Sequence, residues 1–234
     1  MSYYPVFLDL RGQRCVVLGG SDVAAAKASA LLDTGAQVTI IASELGHDPA
    51  LLTRHPERRA KGFQADQAGA NLRILRRDYQ PGDLAGARLA IDAAGDAELT
   101  RQVRAEANAA GVLLNVVDRA DQCDFIAPAV VRRGPLQVAI STSGESPFMA
   151  SALRRQLEQQ LGPEWGEFVA LVGEVRRKLR GRGVPVSQQQ AAYELLMDSN
   201  VPQLLREGAV AAARRQAKAI VRQALSSDRL ASVR

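Results

Sequence analysis

The sequence is poor in cysteine and histidine, with two of each among 234 residues. Cys15 falls inside an apolar run and Cys123 stands beside Asp124, so neither a disulfide framework nor a zinc-binding spacing is available. We expect two reduced thiols, with Cys15 in the core. His47 and His55 share one polar stretch and are interpreted as solvated surface residues. No permanent metal site is predicted.

Aromatic residues are also scarce, at 4% of the chain, and no nucleic-acid-binding motif is present. Nucleic acid is therefore not expected as a partner, although the net charge is +5 and the pI is 9.6. Many basic residues lie in the last third of the chain, where they form either a solvated helical face or an anion-binding face. They are Arg154, Arg155, Arg176, Arg177, Lys178, Arg180, Arg182, Arg214, Arg215, Lys218 and Arg222.

Long apolar runs are absent as well. No stretch approaches the roughly 18 apolar residues of a membrane span. The N-terminus has neither the basic start nor the apolar core of a signal peptide. We expect no membrane association and a cytoplasmic location.

The first half of the chain alternates between short aliphatic runs and alanine-rich stretches, which predicts parallel strands joined by crossover helices. Helices are predicted at Val23–Thr34 and Ala97–Ala110, with Gly35 and Gly111 as C-terminal caps. The segment between Ser43 and Asn71 has no sustained period and is interpreted as a short helix plus a surface loop. Strands are predicted at Cys15–Leu18, Val38–Ala42, Leu72–Leu75, Leu89–Ala93 and Val112–Val116.

The pattern changes after Val116. Two more strands are predicted around the turn Arg133-Gly134-Pro135, and the chain is predicted to be helical from Pro147 almost to its end. Helix breaks are expected near residues 162–163, 181–185, 201–202 and 208. We expect domains at 1–114 (an α/β parallel sheet), 115–146 (a strand-rich region) and 147–234 (all helical).

A glycine turn between the first strand and the first helix is typical of a Rossmann-type dinucleotide site. Its three small positions are Gly19, Ser21 and Ala24, and Gly20 adds conformational freedom to the main chain of the turn. Serine is unusual at the second position. Its hydroxyl either donates a hydrogen bond to phosphate or pushes the cofactor outward.

The residues around this turn complete the predicted cofactor site. Asp22 and Val23 begin the helix, whose N-terminus favours an anion. Ser43 or Glu44, after the second strand, is expected to hold the ribose hydroxyls, unless Glu44 simply opens a polar loop. No arginine follows that strand to receive a 2′-phosphate, so NAD is favoured over NADP.

Five motifs in order resemble the precorrin-2 dehydrogenase family, which includes the N-terminal part of siroheme synthases. The resemblance covers about residues 3 to 160. The motifs are Tyr4-Pro-Val-Phe-Leu-Asp-Leu10, Leu18-Gly-Gly-Ser-Asp-Val-Ala-Ala-Ala-Lys27, Asn115-Val-Val-Asp118, Cys123-Asp-Phe-Ile-Ala-Pro128 and Gly134-Pro-Leu-Gln-Val-Ala-Ile-Ser-Thr-Ser-Gly-Glu-Ser-Pro147.

The resemblance implies NAD-dependent oxidation of precorrin-2 to sirohydrochlorin, with a homodimer interlocked through the strand-rich region. Some members also insert ferrous iron as a substrate, and that activity stays open here. The implied substrate is a polycarboxylated tetrapyrrole. A cleft with basic side chains would bind it, and such a cleft would account for the net positive charge. Because the sequence ends at Arg234 with no methyltransferase domain, we do not expect a full trifunctional synthase.

Asp118 is the candidate catalytic base, because it follows the last strand of the sheet, near the edge where ligands gather in open α/β folds. The resemblance also implies a functional aspartate at this position. Alternatively, Asp118 starts a turn with Asp121. Asn115 is expected either to bind the nicotinamide edge or to finish the strand.

Two further groups of residues complete the predicted site. Ala94 is assigned to the cofactor site from its place in the family pattern. Thr142, Ser143 and Gly144 precede the helix at Pro147, so their main chain is expected to receive a substrate carboxylate. Ser141 and Ser146 are alternatively caps, and capping is favoured for Ser146.

Three departures from the family pattern motivate an alternative function. Ser21 replaces a glycine, Ala94-Gly95-Asp96 replaces a threonine before acidic residues, and Glu145 adds a carboxylate to a neutral loop. The alternative is a non-catalytic dimeric sensor that binds a nucleotide or tetrapyrrole.

Overall fold

The structure, a computed structural model, describes residues 3–46 and 71–231, with only the main chain considered from residue 226 onward. The chain forms two compact units, Met1–Ala127 and Pro128–Arg234. The finer division at residues 114 and 146 stays a prediction. His47, His55 and most of the segment predicted as a short helix plus a loop lie outside the described residues.

The first unit contains a five-stranded parallel sheet with the order β3-β2-β1-β4-β5. Every neighbouring pair of strands is parallel and in continuous register. Buried aliphatic side chains fill β1, β2 and β4, as expected of strands covered on both faces. The strands are β1 (Arg14–Leu18), β2 (Gln37–Ile41), β3 (Leu72–Leu75), β4 (Leu89–Asp92) and β5 (Leu113–Val116).

Two core clusters lie on opposite faces of this sheet, because alternate residues of a strand point to opposite sides. Cys15 and Val17 face one cluster, which includes Leu32, and Val16 and Leu18 face the other. Cys15 is fully buried, which confirms its predicted core position.

Helix α1 (Asp22–Leu32) connects β1 to β2, and α2 (Ala97–Ala110) connects β4 to β5. The bounds of α2 match the prediction, and Gly111 caps it with a left-handed φ of 65°. Helix α1 ends earlier than predicted. Thr34 donates its N–H (3.0 Å) and its hydroxyl (2.6 Å) to the Leu31 carbonyl, which closes the last turn, and Asp33 rather than Gly35 is the cap.

The second unit begins with an antiparallel hairpin of β6 (Ala129–Arg133) and β7 (Leu136–Ile140), which confirms the two strands predicted around the turn. Five helices follow, with breaks close to the predicted ones. Arg133 donates to the carbonyls of Glu158 (2.8 Å) and Leu161 (2.6 Å), and so ties the hairpin to the end of α3. The helices are α3 (Pro147–Gln160), α4 (Glu164–Gly181), α5 (Val186–Met197), α6 (Val201–Arg206) and α7 (Val210–Ala231).

Helices α4 and α7 run in the same direction around a shared core. Phe168 and Leu171, early in α4, share a cluster with Ala217 of α7. Leu179, late in α4, shares a second cluster with Ala224, two turns further along α7. Within the described residues, none of the helices has the length and apolar character needed to cross a membrane.

An almost completely buried carboxylate begins α4. The Glu164 side chain is 4% exposed, and its Oε1 accepts hydrogen bonds from Arg206 Nε (3.0 Å) and Nη2 (2.8 Å). Burial raises the pKa of the Glu164 carboxyl, but the Arg206 hydrogen bonds, a main-chain hydrogen bond and the nearby charges of Arg206 and Arg133 together outweigh burial and hold this pKa below its ordinary value of 4.5. The folded state is therefore stabilised by the ionised form.

We expect Arg206→Ala to lower the free energy of unfolding at neutral pH by about 1–2 kcal/mol, because it leaves a buried carboxylate without its main donor. Since the folded pKa is lowered, the stabilisation is present above the ordinary pKa and is lost as pH falls through the folded value. Urea unfolding should show the gap from wild type narrowing as the pH falls from 7 to below 4.5. Arg155→Ala, at an exposed arginine, should change stability by less than about 0.5 kcal/mol. A gap that stays the same at both pH values would contradict this account.

Candidate functional site

The glycine turn lies at the topological switch point of the sheet, where the chain leaves β1 between β2 and β4. Gly19 donates its N–H to the Ile41 carbonyl (3.0 Å) and has a φ of 106°, which side chains rarely adopt. A Cβ on Gly19 would stand 2.7 Å from the Ala93 carbonyl oxygen. Glycine is therefore required here, because the β4 end packs directly on the turn.

Gly20 is required for a different reason, which the sequence did not reveal. A Cβ on Gly20 would overlap the Glu44 carbonyl oxygen, and the Gly46 N–H donates to the Gly20 carbonyl at 2.9 Å. The main chain after β2 thus lies against the turn. Ser43 and Glu44, the two ribose candidates, are exposed in this loop.

Ser21 is the N-cap of α1. Its backbone is extended (φ −75°, ψ 168°), and its Oγ accepts the Ala24 N–H at 3.3 Å. The unusual serine therefore fits the turn without strain. The exposed residues Asp22 and Val23 form the first turn of the helix, so their N–H groups lie at the end that favours an anion.

The loop after β4 is held by a carboxylate that sequence reasoning missed. Asp92 is 1% exposed; its Oδ2 accepts the Thr100 hydroxyl at 2.6 Å and its Oδ1 accepts the Ala94 N–H at 3.1 Å. Asp96 caps α2 through the N–H groups of Glu98 and Leu99. Ala94 is thus exposed on a loop fastened at both ends. An aspartate ending an apolar strand was the available signal.

Asn115 is buried at the end of β5, and its amide nitrogen contacts the chain that follows. Its Nδ2 donates to the Phe125 carbonyl at 2.9 Å and contacts Cys123 Sγ at 3.4 Å. The Val116 N–H also donates to Cys123 Sγ, at 3.1 Å. These contacts fit the predicted role of Asn115 in finishing the strand, and its alternative role at the nicotinamide edge stays a prediction.

Neither thiol is poised as a nucleophile. Burial raises the pKa of Cys15 to about 11, and burial also raises the pKa of Cys123 against an opposing hydrogen bond from Val116. Both thiols are therefore protonated at neutral pH. Across residues 3–46 and 71–231, no group of three or more His, Cys, Asp and Glu side chains is gathered as metal ligands would be.

Asp118 is exposed two residues after β5 and has a φ of 60°. The Arg119 N–H donates to the Val116 carbonyl at 3.3 Å, so Asp118 lies at the corner of a tight turn. Left-handed backbone at a residue other than glycine costs of order 1 kcal/mol and is concentrated at functional sites. The observed turn runs from Val116 to Arg119, so Asp118 occupies its third position and does not start a turn with Asp121. This turn presents the carboxylate at the edge where the parallel strands end.

The loop between β7 and α3 is a second strained turn. Ser143 has a φ of 55° and Gly144 a φ of 90°. The Ser143 N–H donates to Ser141 Oγ (3.0 Å), and Thr142 Oγ1 accepts the Ser146 N–H (3.1 Å). Ser146 Oγ in turn accepts the Met149 N–H at 3.2 Å, which confirms its capping role.

The first unit matches a family model described as "Putative NAD(P)-binding" over residues 6–129. Residues 133–160 match a model described as "Sirohaem biosynthesis protein central". Two features of this site fit a bound dinucleotide. Only a residue without Cβ can form the Gly19 turn, and the N-terminus of α1 begins directly after that turn. The predicted nicotinamide dinucleotide cofactor is confirmed at this family level.

Several curated relatives are siroheme synthases. The one from Chromobacterium violaceum is 35% identical over 214 residues, which is 92% of this chain and 43% of that protein. Siroheme synthase 2 of Halorhodospira halophila is 40% identical over 171 residues, 73% of this chain and 32% of that protein. The chain thus spans less than half the length of these relatives.

A solved structure supports the fold. The chain is similar to SirC, precorrin-2 dehydrogenase, with a TM-score of 0.67 and 22% identity over 94% of this chain and 100% of that chain. The predicted order of Rossmann-type sheet, small strand pair and helical region is confirmed. Because the NAD(P)-binding model covers more than half of the sequence, the chain belongs to that family, and its predicted resemblance to siroheme synthases is confirmed.

Proposed function

We propose that this protein oxidises precorrin-2 to sirohydrochlorin with NAD in the biosynthesis of siroheme. The observation that carries the proposal is the sheet edge at the switch point, where the Gly19 turn, the Ala94 loop and Asp118 follow β1, β4 and β5. The relatives named siroheme synthase and precorrin-2 dehydrogenase support the choice of substrate.

In this proposal the main chain binds most of the cofactor. The N–H groups of Gly20, Asp22 and Val23 and the Ser21 hydroxyl hold the pyrophosphate at the start of α1. Ser43 holds the adenosine ribose, while the neighbouring Glu44 carboxylate disfavours a 2′-phosphate and so NADP. Ala94 lines the loop after β4, and Asn115 positions β5 through its bond to Phe125.

Asp118 is the proposed catalytic base. A bound nicotinamide supplies the hydride acceptor, and the substrate must also lose a proton. The Asp118 carboxylate, exposed at the turn after β5, accepts that proton. Ferrous iron, where it is inserted, enters as a substrate that displaces two pyrrole protons. The same exposed carboxylate is the proposed acceptor of one proton at a time, which it passes on to solvent.

The turn before α3 is the proposed contact for a substrate carboxylate. Thr142 and Ser143 shape this turn, and among the described residues the Gly144 N–H has no hydrogen-bond acceptor. That N–H group is therefore available to a carboxylate oxygen. The exposed Glu145 carboxylate follows directly and limits how close a second carboxylate can bind.

We also propose a homodimer through the hairpin and the start of α3. An isolated two-stranded hairpin is only marginally stable, and its outer edges are unpaired. Most apolar side chains of β6 and β7 are only half-buried, and Phe148 is 73% exposed on the adjoining helix. A second copy would cover these groups. A cytoplasmic location stays part of the proposal.

Replacing Asp118 by asparagine should lower the rate of NADH formation from precorrin-2 about 10²- to 10⁴-fold, because the amide cannot accept the proton. Asparagine tolerates the left-handed backbone, so the fold and NAD affinity should be unchanged. NADH absorbance measures the rate and isothermal calorimetry the affinity. Asp121→Asn, in the same loop, should keep the wild-type rate. Wild-type protein that binds NAD but forms no NADH would instead support the sensor.

Replacing Ser21 should weaken NAD binding about tenfold in both Ser21→Ala and Ser21→Gly, because each removes a donor to a charged phosphate. Glycine is nearly as good an N-cap as serine, so the glycine variant separates phosphate binding from capping. Ser21→Thr should restore affinity in calorimetry. Tighter binding by Ser21→Gly would mean that the serine pushes the cofactor outward.

Phe148→Glu should convert the dimer into a monomer, since it places a charge in an apolar contact. Light scattering after size exclusion should give twice the chain mass of 25.1 kDa for wild type and the single value for the variant. Val186→Glu, at an exposed apolar residue on α5, should leave the dimer intact. A monomeric wild type at micromolar concentration would refute the dimer.

A further inference from the structure

The net charge of the protein comes entirely from its helical end. Residues after 160 hold 12 of the 30 basic residues but only 7 of the 25 acidic ones, a difference that equals the net +5 of the whole chain. The preceding residues are therefore neutral as a group. This helical end also lies beyond the two family models, which stop at residue 160.

Much of this charge is gathered where α4 meets α7. Arg214 of α7 donates from both of its terminal nitrogens to Glu174 of α4, at 2.9 and 3.0 Å. Because the two helices run in the same direction, the next turn of each helix continues the same seam. That turn carries Lys178 on α4 and Lys218 on α7.

In this seam one carboxylate, Glu174, stands among four cations. Hydrogen bonding by Arg214 lowers the pKa of Glu174, and the nearby charges of Lys178 and Arg177 add to this effect. Arg177, Lys178 and Lys218 are exposed. Like charges one helical turn apart are mildly unfavourable unless an anion lies between them. We name the group of Arg177, Lys178, Arg214 and Lys218 the cationic seam.

We propose that the cationic seam is a docking surface for an acidic segment of a partner protein. The charge is complementary to neighbouring Asp and Glu side chains, and the helical turn from Arg214 to Lys218 spans about 6 Å, the length of two residues of an extended peptide. The seam is an exposed ridge rather than the concave pocket that a small ligand needs. This surface lies outside the residues proposed for oxidation.

Other anionic partners fit less well. Trp165 and Phe168, the aromatic residues of α4, contact the helical core, so they offer no stacking platform for a single-stranded nucleic acid. A duplex would contact only about three phosphates here, too few for firm binding at physiological salt. In α4 and the described side chains of α7, Val210, one turn before Arg214, is the one exposed large apolar residue, fewer than membrane insertion would require.

The test uses a fluorescein-labelled polyglutamate peptide and fluorescence anisotropy on the full chain. Wild type should bind it, with affinity falling as salt is raised. Lys178→Glu/Lys218→Glu should weaken binding about tenfold or more, and Lys178→Gln/Lys218→Gln by less. Arg73→Glu/Arg88→Glu, with the same change of charge in the first unit, should bind like wild type. Circular dichroism checks that each variant is folded.

Two further measurements decide among partners and separate this proposal from the enzymatic one. A short DNA duplex and phosphatidylserine vesicles serve as competitors. Tighter binding of either than of polyglutamate would overturn the choice of an acidic protein, as would equal losses in both charge-reversal variants. NADH formation from precorrin-2 should be unchanged in the seam variants, so its absence in every protein would refute the proposed oxidation alone.

Discussion

Close packing of main chain at Gly19 and Gly20 is the constraint on which the rest of the first unit depends. The β4 end lies against Gly19 and the segment after β2 lies against Gly20, at distances that exclude any side chain. Three strand ends are thereby drawn to one point, and α1 begins there. A helix N-terminus aimed from such a point offers N–H groups to an anion without relying on flexible side chains, which would lose rotamer freedom on binding.

Buried polar contacts then hold the loops that this packing brings together. Asp92 joins the loop after β4 to α2 through Thr100, and Asn115 joins β5 to the segment at Phe125. Each contact satisfies a buried group that would cost about 1–3 kcal/mol if left unpaired. Loops held in this way can support a strained residue such as Asp118, because the surrounding structure determines the backbone more strongly than the residue's own preference does.

The sequence could predict what depends on local pattern. Aliphatic runs located all five strands of the sheet, and Asp96 and Gly111 mark the ends of a helix whose bounds were predicted correctly. What it could not predict are contacts between segments distant in sequence. Glu44 was considered for its carboxylate, whereas the structure uses its carbonyl against Gly20. Ser21 was interpreted as a departure from the family pattern because that pattern describes phosphate contacts. Its hydrogen bond from the Ala24 N–H is instead a property of the helix.

The position of the charge changes the interpretation of the composition. A polycarboxylated substrate was expected to account for the net +5, yet the excess of basic residues lies after residue 160, largely along α4 and α7. Residues 1–160 have no net charge, and the turn proposed to meet a carboxylate uses a main-chain N–H beside the acidic Glu145. Fields from exposed charges decay over about 8–10 Å in physiological salt, so the cationic seam acts on whatever touches it. The pI therefore describes the helical surface rather than the chemistry at the sheet edge.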